Sequence, residues 1–266
     1  MANESANERE AGGGRRWSSG RWTTVAIVAV VMGCALTTLD FLWAFLRAPM
    51  VSGANLSDGQ AAIINGTVVS TRLLFSQKIF YFHVPVAIVS FCFIIAAAVY
   101  AVMFLARRRE SYDLRSRLCM LVGLVFIVAT MISGDLWTRH DWGVWWVWEP
   151  RLTTYFILML LVIAYFILRA AVEDPETQAR FAAVFAIVAA IDAPISFFIT
   201  RLVPSSIHPV VIRTDSGLPP DMLVPFLAGI FGMALVGFGF FRLRLTLEEQ
   251  AMEVESLKRS YEELLD

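Results

Sequence analysis

The sequence is poor in charged residues. Asp, Glu, Lys and Arg make up 17% of its 266 residues, whereas an ordinary soluble domain holds about 25%. Hydrophobic residues reach 58%, and the net charge is only −1. A water-soluble fold of this length could not bury so much apolar surface, so the composition predicts an integral membrane protein. The net charge gives no sign of nucleic-acid binding.

Cysteine and nucleotide-binding motifs are also scarce. Cys34, Cys92 and Cys119 lie far apart, each inside an apolar run. There is no CxxC pair, no zinc spacing and no CxxCH for covalent haem attachment. Thiols that pack as small hydrophobes account for all three. No P-loop or Rossmann glycine pattern occurs either, so no recognisable motif for redox, zinc or nucleotide chemistry is present.

Six apolar runs reach the roughly 20 residues that a helix needs to cross a bilayer. The predicted spans are 23–46, 79–105, 118–137, 152–172, 179–201 and 222–241. Each should be helical throughout, because unpaired backbone groups cannot face lipid. The predicted fold is therefore an all-α membrane protein, with a six-helix bundle over residues 23–242. A disordered cytoplasmic leader at 1–22 precedes it, and a charged cytoplasmic tail at 243–266 follows.

Apolar residues recur in the tail at roughly helical spacing. They fit either a short helix that pairs with a partner or a solvated end.

Positive charge predicts the orientation of the spans. Arginines cluster before the first span, between the second and third, and after the last: Arg15, Arg16, Arg21, Arg107, Arg108, Arg109, Arg115, Arg117, Arg242 and Arg244. With six spans these places share one side, which the positive-inside rule assigns to the cytoplasm. We therefore expect a bacterial inner-membrane protein with both termini in the cytoplasm.

The loop between the third and fourth spans is dense in tryptophan, and it should lie on the outer side. Trp142, Trp145, Trp146 and Trp148 are four of the chain's eight tryptophans. An aromatic belt is the ordinary explanation, but belts spread single rings over several helix ends. The alternative is a platform for a flat apolar ligand, since indole rings offer a large contact area. If the segment is helical, three of these rings share a face with Glu149.

Histidine occurs only as His83, His140 and His208, and all three are predicted on the outer side. His83 begins the second span, and His208 follows the fifth. Two neutral imidazoles that flank an aromatic surface can ligate a haem iron, whereas zinc usually takes four closely spaced ligands. His140 fits a solvated or hydrogen-bonding role better.

Outer cations are candidates for binding the haem propionates: Arg72, Lys78, Arg139, Arg151, Arg201 and Arg213. Arg151 is the best placed of them, because it adjoins the Trp-rich loop. Asp192, two residues before Pro194 in the fifth span, is either functional or a neutral side chain bonded to backbone freed by the proline.

Two motifs resemble a known family. Residues 142–153, WGVWWVWEPRLT, resemble the WGxWWxWDxRLT signature of haem-handling proteins of cytochrome c biogenesis. Residues 80–85, FYFHVP, resemble the YxHVP motif of its CcmC branch, which belongs to the system I maturation machinery. The order of spans and motifs matches over nearly the whole chain. Glu149 stands where the family has Asp, and Pro150 and Pro209 are also departures.

The resemblance implies a function. CcmC-like proteins bind haem at the outer face and pass it to a periplasmic haem chaperone, working with an ABC transporter pair and a small single-span subunit. His83 and His208 would be the axial iron ligands. The remaining haem-site residues would be Trp142, Trp145, Trp146, Trp148, Glu149 and Arg151. Such a component is not an enzyme, because it transfers an intact cofactor.

Two alternatives stay open. One is a transporter that carries haem or another small substrate through the bundle, motivated by Asp192 and Pro194. The other is the synthase branch of system II, which shares the Trp signature. That branch needs more spans and a further histidine pair within the membrane, for which this chain has no histidine left.

Overall fold

The computed structural model of the chain describes residues 2–47, 61–64, 67–70, 77–203, 218 and 220–264. Its helices are α1 (Ala2–Arg47), α2 (Phe80–Arg107), α3 (Glu110–Asp141), α4 (Pro150–Ala171), α5 (Pro175–Leu202) and α6 (Pro220–Glu262). A 3₁₀ turn, Gln77–Ile79, leads into α2. Strands β1 (Ala61–Ile64) and β2 (Thr67–Ser70) form an antiparallel hairpin, which the sequence patterns do not predict.

The six predicted spans are confirmed. Six helices of the described chain are long and apolar enough to cross a membrane, and in α1 the qualifying stretch is Gly20–Arg47. Large apolar side chains such as Val31, Ile167 and Phe231 point outward and are about 60% exposed. A soluble bundle would cover such side chains, whereas lipid is the natural solvent for them. The all-α, six-helix membrane fold is therefore as predicted.

The helix ends follow from local sequence. Proline occupies the first position of α4, α5 and α6, where its missing N–H group costs nothing and its fixed φ suits the helix. Asp174 caps α5, because its carboxylate accepts the Thr177 N–H at 2.8 Å. The hydrogen bonds from Thr177 hold the pKa of Asp174 below its usual value. Arg108, with φ at 54°, ends α2 in the left-handed conformation.

Helix α1 packs mainly on α6, and glycine permits the close approach. A Cβ added at Gly33 would lie 2.7 Å from the Gly232 carbonyl oxygen, and one at Gly239 would lie 2.8 Å from the Ala26 carbonyl oxygen. Small residues that let two backbones meet are a general feature of membrane helix pairs. Helix α2 is central, because it contacts α3, α5 and α6.

The bundle has two distinct ends. The end that carries residues 142–149, here the Trp face, also holds the start of α2 and the last turn of α5. The opposite end, here the Arg face, holds the turn between α2 and α3. There Asp113 accepts two hydrogen bonds of 2.7 Å from Arg169. Arg117 pairs with Glu248 at 3.3 Å, which ties α3 to α6.

Two parts of the chain differ from the sequence-based description. The polar leader is helical in backbone from Ala2, continuous with α1, where a disordered segment is predicted. The tail is not a separate element either, since α6 runs without a break from Pro220 to Glu262. The division of the chain near residues 22 and 243 stays a prediction.

Candidate functional site

His83 lies in the first turn of α2, and its ring is oriented by α3. Its Nδ1 atom lies 2.9 Å from Ser133 Oγ. The Ser133 hydroxyl donates its one proton to backbone carbonyl groups, with Ala129 O at 2.8 Å and Thr130 O at 3.1 Å. With its own proton on a backbone carbonyl, Ser133 Oγ can accept the Nδ1–H of His83, and Nε2 then carries the lone pair. In this tautomer Nε2 can ligate a metal.

A glycine makes room for this ring. A Cβ placed on Gly134 would lie 3.1 Å from His83 Cε1, which is tighter than ordinary van der Waals contact. The opposite edge of the site is aromatic, since the His83 and Trp137 rings meet edge to face with centroids 5.7 Å apart. The imidazole is thus held by a hydrogen bond, an indole and the α3 backbone.

The last turn of α3 carries a short polar chain. Trp137 Nε1 donates to Asp141 Oδ2 at 2.7 Å, and the other Asp141 oxygen lies 3.0 Å from His140 Nδ1. Lys78 donates to the Phe45 carbonyl oxygen, and burial lowers the pKa of its amine. Lys78, Trp137 and His140 line a cavity of about 290 Å³ between α1 and α3. Its full lining is Phe41, Phe45, Lys78, Ile79, Leu136, Trp137 and His140.

The Trp-rich segment is not helical, so the helical face proposed for Trp142, Trp145, Trp146 and Glu149 is wrong. Helix α3 ends at Asp141, and residues 142–149 form a turn and an irregular stretch. Gly143, with φ at +75°, makes the turn, and this left-handed conformation favours glycine because it has no Cβ.

Two α3 side chains hold the first half of the segment. Thr138 Oγ1 donates to the Trp145 carbonyl oxygen at 2.9 Å. Arg139 donates to the Gly143 carbonyl oxygen, and its guanidinium lies 5.8 Å from the centroid of the Trp145 ring. The Trp145 indole is nevertheless 58% exposed. Trp142 is half-buried at the end of α3, where its N–H bonds the Thr138 carbonyl oxygen.

The second half of the segment packs on α4. The rings of Trp146, Trp148 and Phe156 meet edge to face, with centroids 5.4 to 6.2 Å apart. Trp148 is 72% exposed. The Nε1 atom of Trp146 is buried and has no hydrogen-bond partner among the described residues. A buried donor without an acceptor is costly, so this N–H marks a place where a ligand acceptor would be stabilised.

Glu149 is buried, and its carboxylate is used inside the protein. Its Oε1 atom accepts the Leu152 N–H at 2.7 Å, so it caps α4 immediately before Pro150. Pro150, a departure from the family signature, is the first residue of α4. Glu149 therefore fixes the direction in which the Trp-rich segment enters α4.

Two arginines meet over one ring beside this helix start. The guanidinium carbon of Arg151 lies 5.9 Å from the centroid of Phe197, and that of Arg201 lies 5.6 Å from it. Arg201 also lies 5.6 Å from the Phe198 centroid. The site thus joins the start of α4 to the last turns of α5. His208, Arg72 and Arg213 lie outside the described residues.

Asp192 begins a line of buried polar atoms on α5. Asp192 Oδ2, Ser196 Oγ and Thr200 Oγ1 are all buried with no hydrogen-bond partner among the described residues. They are spaced by four residues, so they share one helix face that runs from mid-span to the Trp face. Toward the Arg face the buried positions of this helix are alanines: Ala179, Ala182, Ala183, Ala186 and Ala189.

Sequence reasoning missed three residues that shape the site. Ser133 lies within hydrogen-bond distance of His83 from 50 positions away, and no local pattern indicates that pairing. Trp137 is predicted only as the last residue of a span, and Thr138 lies just outside it. The sequence did hold one indication. Ser133, Trp137 and Asp141 are spaced by four residues, so they share one face of α3.

The fold and this site define a class: a multi-pass helical membrane protein with an exposed tryptophan surface beside an oriented histidine at one end. The family model of CcmC, "Heme exporter protein C", matches residues 23–260. The chain belongs to this family.

Relatives with this name align with most of this chain and with most of their own length. Heme exporter protein C of Rhodobacter capsulatus is 26% identical over 86% of this chain and 89% of its own. That of Escherichia coli K12 is 26% identical over 81% and 77%, and that of Bradyrhizobium diazoefficiens is 31% identical over 68% and 67%. Together with the six spans, these bacterial relatives make the chain a multi-pass protein of the inner membrane.

Proposed function

We propose that this protein binds haem at the Trp face and passes it to a haem chaperone for the maturation of c-type cytochromes. The observation that carries the proposal is the placement of His83, whose Nδ1 atom lies 2.9 Å from Ser133 Oγ and whose ring meets Trp137 edge to face, at the end of the bundle that carries the Trp-rich segment. The relatives that the chain resembles are named heme exporter protein C, which supports haem as the substrate.

The described residues fit a haem. Trp145 and Trp148 offer exposed indole faces to a flat macrocycle, and the buried N–H of Trp146 lacks an acceptor that a polar edge could supply. Arg151 and Arg201 converge on Phe197, as two cations suited to the two propionates would. Trp142 belongs to the same surface, and His208 is the proposed second axial ligand.

Each residue type has a distinct task in this proposal. His83 ligates the iron, and the exposed tryptophans hold the macrocycle by contact area. Glu149 does not touch haem but caps α4 and so sets the position of Trp148 and Arg151. The bound haem supplies no reaction here, because the intact cofactor is the cargo. We therefore propose a delivery component and not an enzyme.

The site is built for release as much as for binding. The cavity beside Trp137 measures about 290 Å³, at the small end of the roughly 300–1,000 Å³ of ligand pockets, and the Trp145 and Trp148 rings are exposed. A macrocycle could insert one edge there while its remaining surface lies against the exposed tryptophans. An open site lets a periplasmic chaperone reach the haem while it is still ligated.

This proposal includes the orientation and the partners. The Trp face would be periplasmic and the Arg face cytoplasmic, because Arg107, Arg108 and Arg109 gather at the latter. The haem chaperone would meet Trp145 and Trp148. The ABC transporter subunits and the small single-span subunit of the maturation complex would supply ATP hydrolysis, for which this chain has no motif.

The alternative of a transporter is favoured by the line from Asp192 through Ser196 to Thr200, whose buried oxygens have no hydrogen-bond partner within the described part of the chain. However, this line stops at mid-span, and the buried residues of α5 beyond it are alanines. A substrate that crosses the bundle needs a continuous polar path among the helices. The polar line is better explained by a few buried waters that satisfy these three side chains.

Visible spectroscopy tests the proposal. The full-length protein is purified from cells supplied with haem, and its Soret absorbance is compared with that of His83→Ala, His208→Ala and His140→Ala. His140→Ala is the comparison for a histidine that lines the cavity beside Trp137 without ligating the iron, since its Nδ1 atom lies 3.0 Å from Asp141. We expect the first two variants to lose most of the Soret band and the third to keep it. A wild-type protein with no Soret band, or one unaffected by His83→Ala, contradicts the proposal.

Transfer is tested separately. Haem-loaded protein is mixed with the purified periplasmic haem chaperone, and the haem content of each is measured after separation. Trp148→Ala should reduce transfer more than Trp22→Ala, because Trp22 lies at the Arg face beside Arg242. Equal transfer by both variants would count against the role of the exposed tryptophans.

A further inference from the structure

The last part of α6 stands clear of the bundle. Leu245 and Thr246 are its last buried residues, and Glu248 still pairs with Arg117. Every residue from 249 to 264 is exposed. At 1.5 Å per residue the helical part of this segment, up to Glu262, extends about 20 Å beyond the bundle. It is here called the α6 tail.

The α6 tail carries an apolar stripe with the spacing of a coiled coil. Val254, Leu257, Tyr261 and Leu264 follow one another at intervals of three, four and three residues, and each is more than half exposed. Within the helix, Val254, Leu257 and Tyr261 fill positions a, d and a of two heptads, and Leu264 continues the spacing just past the last helical residue. These exposed apolar side chains form the surface that a partner helix would cover.

Charges beside the stripe favour a second copy of the same chain. In this register Glu253 occupies position g and Lys258 position e. In a parallel pair, position g of one helix faces position e of the next heptad on the other. Glu253 of each copy would then meet Lys258 of the second copy, which gives two attractive pairs by symmetry. The outward b and f positions hold Glu255 and Arg259, which form an ion pair within the helix at 3.7 Å.

The membrane enforces the same arrangement. Two copies inserted in one orientation must send their α6 tails out of the same side, so the tails can pair only in parallel. The two heptads of this helical segment are short for a free coiled coil, which usually needs three or four. Tethering both helices to one bilayer raises their effective concentration and offsets this shortness.

We propose that the α6 tail forms a parallel two-stranded coiled coil with the α6 tail of a second copy, and that the protein is thereby a dimer in the membrane. The proposal does not depend on haem, because the α6 tail lies at the Arg face, at the opposite end of the bundle from the candidate site.

Disulfide trapping tests the seam. Leu257→Cys and Ser256→Cys are made in the full-length chain, reconstituted in liposomes and oxidised mildly. Position 257 faces the partner, whereas position 256 faces outward beyond disulfide reach. We expect a band of twice the monomer mass for Leu257→Cys on a non-reducing gel, and for Ser256→Cys only the wild-type background from Cys34, Cys92 and Cys119. No such band for Leu257→Cys, or equal bands for both variants, overturns the proposal.

Charge exchange tests the partner. Glu253→Lys in the Leu257→Cys background should reduce the trapped dimer roughly three- to tenfold, because both ionic pairs become repulsive. Adding Lys258→Glu should restore it. Failure of this restoration refutes the parallel homodimer. In native membranes, Leu257→Cys could instead give a disulfide-linked band at a mass other than twice that of the monomer, and no band at twice that mass. The partner of the α6 tail would then be a helix of a different protein, and the homodimer would be wrong.

Discussion

Replacing Ser133 with alanine gives a sharp test of how the site is built. The Ser133 hydroxyl lies 2.9 Å from His83 Nδ1, and with its own proton on the α3 backbone it can accept the Nδ1–H. Ser133→Ala removes this acceptor and leaves the helix hydrogen bonds of α3 intact. The ring can then rotate, and the tautomer with the proton on Nε2, in which Nε2 cannot ligate iron, becomes accessible.

The expected size of the effect follows from the contact. Loss of a partner that orients a metal-ligating histidine typically costs 10- to 100-fold in metal affinity. The His83 ring is half-buried, so water can replace part of the lost hydrogen bond, and we expect the lower end of that range. A tenfold loss corresponds to about 1.4 kcal/mol. The midpoint potential of the bound haem should also rise, because an imidazole without this bond is a weaker donor to ferric iron.

Haem titration of purified protein, followed at the Soret band, measures the affinity, and a spectroelectrochemical titration measures the potential. Ser133→Thr keeps the hydroxyl and should restore both quantities. Ser90→Ala is the matched control, since Ser90 is a buried serine of α2 that bonds Tyr155 at 2.8 Å and not His83. If Ser133→Ala binds haem with unchanged affinity and potential, the tautomer argument is refuted.

Three further predictions concern the scaffold. Gly134→Leu should lower haem affinity roughly tenfold without unfolding the protein, because even a Cβ there would lie 3.1 Å from the imidazole ring; haem titration and size-exclusion chromatography check this. Gly33→Leu should separate α1 from α6, since its Cβ would lie 2.7 Å from the Gly232 carbonyl oxygen; Gly20→Leu, with nothing within 4 Å, should leave the thermal stability unchanged. Glu149→Ala should cost about 1 kcal/mol through the lost α4 cap, or about 2–4 °C in Tm, whereas Glu149→Asp should keep most of it.

Sequence patterns predict the six spans because the bilayer imposes one simple rule. Each span must be a long apolar helix, so hydropathy alone finds it, and the structure differs mainly at the ends. Helix α3 begins at Glu110, eight residues before the predicted span, because polar residues such as Arg117 continue the helix and pair with Glu248. Hydropathy cannot detect helical residues that leave the apolar core.

The conformation of the Trp-rich segment could not be read in the same way. Periodicity places three tryptophans and Glu149 on one helix face, but Gly143 turns the chain at positive φ and Glu149 is needed as a cap. Both facts depend on where the neighbouring helices end. Pro150 was the available signal, since a proline that starts a helix leaves the preceding residue extended and free to cap it.

The irregular segment explains why four tryptophans occur where an interfacial belt would need one or two. A helix would turn the four side chains around its axis, whereas the turn at Gly143 gives each indole a separate environment. Trp142 packs where α3 ends, Trp146 is half-buried with a buried N–H that has no acceptor among the described residues, and Trp145 and Trp148 stay exposed. An enclosing pocket would bind haem more tightly but would keep it from a protein partner. Exposed rings supported by the half-buried Trp146 and the Glu149 cap instead give an open surface, which suits the proposed binding and release of haem.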